Sequence, residues 1–488
     1  MFPWKTRILI DKQVATPVYL QIVNAIVKEI MAGHLAPGQK MPGSRQLANL
    51  LTVNRKTVVI AYEELMAQDW IEIIPARGAF VTHTLPVVRP SAVSIPAARQ
   101  PLPAQSAFSF PPAPSRRVLT GRFLRITDGS PDVRLAPAEQ LYQRAKAIST
   151  RSSRRDHLRY SHEQGDERLR SVLARYLQET RGLPCSSDQI LITRGSQMGI
   201  YLALQQLLQP GDRVIVGEAS YPETNQVIRG GQGQLVTVPV DEQGLDTEAI
   251  AAQCAQHPTR ALYVTSHHHY PTTVTLSTER RMRLLQLAEQ YRFAIIEDDY
   301  DYDFHYASSP LLPLASLDTH GTVLYVGSFT KCIAPSVRIG YVVAPDNVIR
   351  SMSAYRRLVD RQGDPVLEHA LAGWIQEGEL SRHLKKSLKI YRQRRDFFCA
   401  LLQDQLGPWV QFQRPAGGMA VWVTFSPRID LLALEAYAHT QHITLDGVEH
   451  WQPYRALRLG FASLNEQESI QGISVLRQGI EQQLQRGP

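Results

Sequence analysis

Residues 322–344 read TVLYVGSFTKCIAPSVRIGYVVA and contain the pattern most informative about the fold of the long C-terminal part of the chain. Its two apolar runs, TVLYVG and RIGYVVA, are typical of buried strands. Lys331 follows the first strand in a short, hydroxyl-rich turn, where a lysine can lose its proton and form an imine with an aldehyde. Ser328, Thr330 and Arg338 would surround a phosphate, because the guanidinium offers paired donors. A single lysine is usually a surface residue, so the prediction depends on the spacing of all four.

Further apolar runs alternate with amphipathic helices on both sides of this stretch. They include RVIVG at 213–217, ALYVTS at 261–266 and FAIIED at 293–298. The alternation predicts an α/β fold, with a mixed, mostly parallel sheet that carries helices on both faces. From about residue 365, helices mix with the strands MAVWVTF and YRALRLGFA, which predicts a smaller C-terminal α+β lobe.

A second phosphate-binding element is predicted in TRGSQMGIYLALQQLL, residues 193–208. Here a strand ends in a Gly-Ser-Gln turn that opens a helix. Free amides at a helix N-terminus, together with the helix dipole, bind anions. Gly195, Ser196 and Gln197 are therefore candidates, although many helices begin with Gly-Ser. The sequence GGQGQ at 230–234 lacks the spacing of a dinucleotide-binding turn and is not a candidate.

An acidic cluster ends the apolar strand FAIIEDDYD at 293–301. Carboxylates at the carboxyl end of a parallel strand face the crevice where ligands bind, and one of them can hold a pyridinium N–H. We predict Asp298 for this role, with Asp299 as the rival, and Tyr300 as a donor to the ring oxygen. A metal site is the alternative, but successive strand residues face opposite sides, and we predict none. Arg458, on the strand ALRLGFA, would bind a ligand carboxylate or form a structural ion pair.

The first folded unit, residues 17–82, is predicted to contain three helices and a hairpin. Helical periodicity marks residues 17–32, 44–51 and 54–67, with Ser44 and Asn54 as predicted N-caps. The last two helices are separated by a turn of two residues, which is typical of a helix-turn-helix. The segment WIEIIPARGAFVT then predicts a two-stranded wing.

Basic residues mark where this unit would contact DNA. Arg55, Lys56 and Thr57 begin the second helix of the motif, and Arg45 could grip a phosphate. The wing tip, with Arg77 and Gly78, could enter a minor groove. Residues 1–127 contain 15 Lys or Arg and 6 Asp or Glu, so they carry the whole positive charge of a chain whose net charge is +8. A protein-binding module or a solvated basic tail is the alternative.

The remaining composition describes an ordinary globular protein. Hydrophobic residues make up 43% and charged residues 20% of the 488 residues, without a secretory signal or a membrane-length apolar run. The four cysteines share no metal-ligand spacing and are expected to be reduced in a cytoplasmic protein. Eight prolines fall in residues 83–115. We therefore predict domains at 1–82 and 120–488, joined by a proline-rich basic linker at 83–119.

Both units resemble known families. The first, from PVYLQIVNAIVKEIMAG to ARGAFV, resembles the GntR type of winged helix-turn-helix. The second, from Tyr160 to Phe461, resembles the fold-type-I pyridoxal-phosphate enzymes of the aspartate aminotransferase superfamily. Their fusion, with the stretches SHHHYP, EDDYD and SFTK, resembles the MocR/GabR/PdxR regulators over the full length. The resemblance implies a cytoplasmic, ligand-responsive bacterial transcription regulator that binds operator DNA and is not primarily an enzyme.

The resemblance also implies roles for residues. Lys331 would carry the internal aldimine, Asp298 would pair with the pyridine nitrogen, and Tyr221 would stack on the ring. Tyr160 would reach the phosphate of a partner subunit, which implies a homodimer, arranged head-to-tail. Tyr270 stands where the superfamily usually has an asparagine that supports the phenolic oxygen, which argues against efficient transamination. The effector would be an amino acid, an amine or pyridoxal phosphate itself, and an aminotransferase with an accessory DNA-binding domain is the alternative.

Overall fold

The computed structural model describes residues 2–11, 13–14, 16–85, 106–109, 123–126, 129–150, 157–306, 311–445 and 447–485. They fall into two compact units, Met1–Arg117 and Val118–Pro488. Most of the predicted linker at 83–119 lies outside the described residues, so its boundaries stay predictions. Among the described residues, no helix combines the length and the apolar character needed to cross a membrane.

The described part of the N-terminal unit has four helices and a hairpin. They are α1 (Trp4–Arg7), α2 (Val18–Met31), α3 (Ser44–Leu51), α4 (Arg55–Ala67), β1 (Ile71–Ile74) and β2 (Gly78–Val81). The predicted apolar face of α4 is buried in the core, where it meets α2 and α3; its members are Val58, Ala61, Tyr62 and Leu65. The strands β1 and β2 pair antiparallel and form the predicted wing.

The N-cap of α4 is the predicted residue, whereas the N-cap of α3 is not. The Asn54 side chain caps α4 as predicted, because its Oδ1 accepts from the Lys56 amide at 2.8 Å. The prediction that Ser44 caps α3 is wrong, since Gly43 occupies the N-cap position and Ser44 is the first helical residue. The Ser44 hydroxyl instead accepts from Arg55 Nε at 3.4 Å. This contact holds the starts of the two helices beside each other.

The C-terminal unit alternates strands and helices. Its strands are β3 (Leu124–Ile126), β4 (Ile190–Thr193), β5 (Arg213–Gly217), β6 (Gln234–Val238), β7 (Val240–Asp241), β8 (Gly244–Leu245), β9 (Ala261–Val264), β10 (Ala294–Asp299), β11 (Val323–Ser328), β12 (Gly340–Val343), β13 (Val410–Phe412), β14 (Ala420–Phe425), β15 (Ile443–Leu445) and β16 (Ala456–Gly460). Its helices are α5 (Ala138–Thr150), α6 (Glu167–Arg181), α7 (Ser196–Leu207), α8 (Pro222–Gly230), α9 (Thr247–Gln256), α10 (Thr278–Tyr291), α11 (Leu314–Leu317), α12 (Asp346–Val359), α13 (Pro365–Gln376), α14 (Glu379–Leu406), α15 (Leu431–Thr440), α16 (Val448–Trp451) and α17 (Glu466–Gln485).

A seven-stranded sheet forms the centre of this unit, in the order β4-β12-β11-β10-β9-β5-β6. Only β12 runs antiparallel to its neighbours, so the predicted mixed, mostly parallel sheet is confirmed. Helices cover both faces. Ile296 packs on the side of α7 and α12, whereas Ile295 packs on the side of α9 and α10. Strands buried on both faces explain why their sequences are continuous apolar runs.

The predicted smaller lobe is also present. It contains the antiparallel sheet β13-β14-β16 and the parallel pair β15-β3, with α14, α15 and α17 alongside. Its β16 carries Arg458, which pairs across the sheet with Trp422.

Candidate cofactor site and nucleic-acid interface

The carboxyl edge of the seven-stranded sheet gathers the predicted cofactor residues. β10 ends in Asp298 and Asp299, β11 ends at Ser328, and β4 ends just before Gly195. In the register of the sheet, Ser328 lies opposite Gly340, which in turn lies opposite Thr193. Because parallel strands end at the same edge, residues far apart in sequence surround one crevice, as expected for ligand sites of open α/β sheets.

The start of α7 has the geometry of an anion-binding corner. Gly195 is its N-cap residue, with φ +77°, and a Cβ there would lie only 2.7 Å from Arg338 Nη2. A Cβ on Gly340 would lie 2.6 Å from the carbonyl carbon of Gly195, so both positions need glycine. Ser196 and Gln197 follow as the first helical residues. The exposed guanidinium of Arg338, whose own φ is +50°, therefore stands beside free amides of a helix N-terminus.

The turn after β11 adds hydroxyl groups and the lysine. Ser328 Oγ donates to Thr330 Oγ1 at 2.9 Å, and it accepts from the Thr330 amide at 3.1 Å. Lys331 is half-buried, and its Nζ donates to the carbonyl oxygen of Gly129 at 2.7 Å. The predicted group Ser328, Thr330 and Lys331 thus lies at the same sheet edge as Gly195 and Arg338.

Asp298 and Asp299 lie on opposite faces of the sheet and have different surroundings. Asp298 Oδ2 accepts from Tyr263 Oη at 2.8 Å, while the buried Oδ1 has no hydrogen-bond partner. Asp299 Oδ2 accepts from Tyr325 Oη at 2.6 Å, and Oδ1 lies 3.3 Å from His267 Nδ1. Asp299 Oδ1 likewise makes no well-aligned hydrogen bond, but it lies within ion-pair distance of His267, whereas Asp298 Oδ1 is left as an acceptor for a further donor.

Electrostatics separate the two carboxyl groups in the same way. Burial raises the pKa of Asp298 to about 7, helped by the charges of Asp299 and Asp301 and opposed by the hydrogen bond from Tyr263 and by Lys331. Burial also acts to raise the pKa of Asp299, but the charge and hydrogen bond of His267 outweigh it and lower that pKa. A cationic N–H donor next to Asp298 would satisfy its unpaired oxygen and favour its ionised form.

This donor set fits pyridoxal 5′-phosphate. The cofactor requires an amine for its aldehyde, donors for its phosphate and an acceptor for its pyridinium N–H. Lys331 offers the amine. Donors for the phosphate come from the start of α7, the hydroxyl groups after β11 and Arg338. The unpaired Oδ1 of Asp298 offers the acceptor.

Arg458 lies within a group of aromatic side chains. It is 2% exposed, its Nη2 lies 3.2 Å from Tyr300 Oη, and its guanidinium lies 4.9 Å from the centre of the Tyr270 ring. Tyr270 meets Tyr221 edge-on at 5.1 Å, and Tyr221 Oη accepts from Gln197 Nε2 at 2.8 Å. A continuous wall of side chains thus leads from Arg458 to the start of α7.

Several residues of this site were missed by the sequence analysis. Tyr263 is one, because a tyrosine within an apolar strand carries no local motif. The Gly129 carbonyl is another, because backbone acceptors have no sequence signature. The three consecutive histidines point to different partners: His267 to Asp299, His268 to Asp301 and His269 to Thr272. They belong to the packing beneath the site.

Two further groups lie apart from this crevice. Tyr160 is 79% exposed, with the Arg361 guanidinium 4.1 Å from its ring centre. Among the described residues, no hydrogen bond or ring contact joins it to the Lys331 region.

His157, Asp166 and His369 have the spacing of metal ligands. His369 Nδ1 lies 3.3 Å from Asp166 Oδ2, and Arg168 Nη1 lies 3.0 Å from His369 Nε2, so hydrogen bonds and charge contacts account for this group.

The predicted DNA-contacting residues lie at the surface of the N-terminal unit. Arg55 and Lys56 are exposed at the start of α4, Thr57 is half-buried beside them, and Arg45 is exposed on α3. Arg77 and Gly78 are exposed in the wing, where the Arg77 guanidinium lies 5.8 Å from the centre of the Phe80 ring. Four cations and a hydroxyl are thus presented by the elements that contact DNA in winged helices.

Comparison with known proteins assigns both units to families. The model of class I and II aminotransferases matches residues 130–476, and the model of the gntR family of bacterial regulatory proteins matches residues 18–81. The chain resembles the multiple substrate aminotransferase of Thermococcus profundus (TM-score 0.70, 26% identity, covering 75% of this chain and 93% of that one). It also resembles the kynurenine aminotransferase of Pyrococcus horikoshii (TM-score 0.69, 27% identity, covering 75% and 92%).

Relatives with both units are transcription regulators by name. The chain is 27% identical over 485 residues to the probable rhizopine catabolism regulatory protein MocR of Rhizobium meliloti, covering 96% of this chain and 95% of that one. It is 30% identical over 404 residues to the pyridoxine biosynthesis transcriptional regulator PdxR of Corynebacterium glutamicum, covering 83% and 82%. The chain therefore belongs to the MocR/PdxR family of pyridoxal-phosphate-dependent transcription regulators, in which a GntR-type DNA-binding domain is fused to a class I and II aminotransferase domain.

Proposed function

We propose that the C-terminal unit holds pyridoxal 5′-phosphate through Lys331 and uses it to detect an amine. Lys331 Nζ would form the covalent bond to the aldehyde carbon, with loss of one water. Asp298 would accept the pyridinium N–H, Tyr300 would contact the phenolic oxygen, and Tyr221 would stack on the ring. The phosphate would lie among donors from Gly195, Ser196, Gln197, Ser328, Thr330 and Arg338. When bound, the cofactor supplies an aldehyde carbon that can exchange one amine for another.

The effector of this site is proposed to be a primary amine, an amino acid or the cofactor itself. Arg458 would bind the carboxylate of an amino acid, because its guanidinium is buried near Tyr300 and offers paired donors. An effector can shift the protein between states only if it binds one of them more tightly. Replacement of the Lys331 bond and engagement of Arg458 both change contacts inside the crevice, and this supports a ligand-dependent state.

The N-terminal unit is proposed to bind a repeated operator. Arg55, Lys56 and Thr57 would enter the major groove, Arg45 would bind a phosphate, and Arg77 with Gly78 would approach a minor groove. The single observation that carries the regulator function is the match of both units, in one chain, to regulators of the same length and order.

We also propose that the protein is a cytoplasmic homodimer arranged head-to-tail. Tyr160 supports a dimer, because its side chain is 79% exposed and would be expected to contact the cofactor phosphate of a second copy. A cytoplasmic location is supported because bacterial DNA, which such regulators bind, lies in the cytoplasm. Sedimentation of the full chain with and without cofactor tests the dimer, and a monomer under both conditions would contradict it.

Two measurements test this function. After borohydride treatment, mass spectrometry should find a pyridoxyl adduct on Lys331, absent in Lys331→Ala and retained in Lys146→Ala, an exposed lysine of α5. Salt-dependent binding should favour the promoter of the chain's own gene over random DNA. A pyridoxyl adduct that persists in Lys331→Ala would contradict the cofactor half of the proposal. Equal affinity for both DNAs, with and without ligand, would contradict the DNA-binding half.

Transamination as the main task is the second candidate function. The similarity to solved aminotransferases favours it, whereas Tyr270 in place of the usual asparagine does not. We propose that turnover is secondary to regulation. A turnover above about 1 per second with an amino acid and a keto acid, an ordinary enzyme rate, would reverse this order.

A further inference from the structure

An exposed isoleucine lies on α4, the second helix of the helix-turn-helix. The core-facing side chains of this helix are at most 5% exposed: Val58, Ala61, Tyr62 and Leu65. Ile60 lies on the opposite face, with 47% of its surface exposed. β-branched residues are also weaker helix formers than leucine or alanine. Neither core packing nor helix propensity therefore accounts for an isoleucine at this position.

The surroundings of Ile60 match the edge of a DNA groove. A shallow depression of about 390 Å³ is lined by Arg55, Lys56, Val59, Ile60 and Glu63. Its aliphatic side chains thus lie between two cations and a carboxylate. The cations attract backbone phosphates, whereas the carboxylate repels them. The middle of this face is therefore suited to base edges instead of the phosphate backbone.

The position of Ile60 along the helix agrees with this arrangement. It is the sixth residue of α4, so it lies about 7.5 Å along the axis from the first, at 1.5 Å per residue. In helix-turn-helix proteins the first part of this helix contacts base edges in the major groove. The apolar group displayed there is the C5-methyl group of thymine.

We infer that Ile60, with Val59 beside it, contacts thymine methyl groups and thereby selects thymine at one position of each operator half-site. This inference rests on the proposed function of the N-terminal unit as an operator reader. It adds an apolar contribution to sequence selection, separate from the hydrogen bonds that Arg55, Lys56 and Thr57 would make.

A protein surface is the other occupant that an exposed aliphatic patch could have. The charge around the patch favours DNA. Arg55 Nε contacts Ser44, which places the start of α3, with the exposed Arg45, next to the start of α4. Two exposed cations, Arg55 and Lys56, thus border the aliphatic pair, and a third, Arg45, lies at the adjoining start of α3, as a polyanion requires.

The test uses the full-length protein and DNA selected by it from a random library. In the selected operator each thymine is replaced singly by deoxyuridine, which removes only the methyl group, and Kd is measured by fluorescence anisotropy at fixed salt. At one thymine per half-site we expect a roughly fourfold loss of affinity, the ratio that corresponds to burying about one methyl group. Ile60→Ala should lower affinity by a similar factor and remove the effect of deoxyuridine at that thymine.

Controls distinguish the possible failures. Met31→Ala removes an aliphatic side chain that is 65% exposed at the end of α2, and it should leave both affinity and the deoxyuridine profile unchanged. Equal unfolding midpoints of wild type and Ile60→Ala exclude a folding defect, and Ile60→Val, which keeps the branched methyl groups, should retain most of the selectivity. An unchanged deoxyuridine profile in Ile60→Ala, or loss of dimer in place of loss of affinity, overturns the inference. Failure of the library to yield any enriched sequence would instead contradict the proposed function.

Discussion

Replacement of Asp298 by asparagine is expected to stabilise the cofactor-free protein at alkaline pH while it weakens cofactor binding. Burial raises the pKa of Asp298 from its ordinary value of 3.8 to about 7. Between these two values the folded state keeps a proton that the unfolded state has released. The free energy of unfolding therefore falls as the pH rises through this window.

The size of the effect follows from the width of the window. One pKa unit corresponds to about 1.4 kcal/mol, so ionisation of Asp298 costs the folded state about 1 kcal/mol at pH 4.5 and about 4 kcal/mol at pH 8. Asparagine has no charge at either pH. Its amide oxygen can keep the hydrogen bond from Tyr263, and any cost of burying the amide N–H₂ group is the same at both pH values. The advantage of Asp298→Asn over wild type should therefore grow by about 3 kcal/mol from pH 4.5 to pH 8.

Urea unfolding of cofactor-free protein at the two pH values, followed by tryptophan fluorescence, measures this difference. Glu242→Gln removes the same charge at an exposed position of the same unit and serves as the matched control. The variant should also bind pyridoxal 5′-phosphate at least about tenfold more weakly, because a charge-assisted hydrogen bond contributes about 1.5–3 kcal/mol. If the advantage of Asp298→Asn were the same at both pH values, the assignment of a costly buried carboxylate would be refuted.

Three further changes have expected results. Gly195→Ala should weaken cofactor binding at least about tenfold in a spectroscopic titration, because a Cβ would lie 2.7 Å from Arg338 Nη2 at a residue with positive φ; unchanged affinity would remove this corner from the phosphate site. Arg55→Ala should weaken operator binding by about 1–3 kcal/mol in anisotropy measurements if the contact is to a base, and unchanged affinity would exclude Arg55 from the interface. Arg458→Gln should reduce the spectral response to amino acids more than the response to simple amines, and an equal reduction would contradict a carboxylate-binding role.

The sequence was sufficient for features set by local pattern. The apolar face of α4, with Val58 and Leu65, follows from a 3.6-residue period. The parallel strands follow from apolar runs separated by helices, and the carboxyl-edge placement of Asp298 and Ser328 follows from parallel order. These features depend on residues near each other in sequence or on a general rule of chain topology.

Features set by contacts between distant segments were beyond the reach of sequence reasoning. The choice between Asp298 and Asp299 depends on Tyr263 and Tyr325, which approach from neighbouring strands on opposite faces. The contact of Lys331 with Gly129 joins residues 202 positions apart. The error at Ser44 is of a different kind, because Gly43 and Ser44 are both acceptable N-cap residues and only the backbone geometry decides between them.

Local costs at the carboxyl edge of the sheet are themselves an argument for function. Asp298 keeps an unpaired buried oxygen, and Arg338 has a left-handed backbone conformation that non-glycine residues rarely adopt. Each feature lowers the stability of the cofactor-free fold. An uncharged amide at residue 298 would remove the first cost, and a glycine at residue 338 would remove the second. Both costs fall on the strand ends and turns that border one crevice, and a bound cationic ring and phosphate would offset both at once. Buried unpaired atoms and left-handed residues also occur elsewhere, for example at Trp374 and Arg292, so function is indicated by the single ligand that would offset these two costs together.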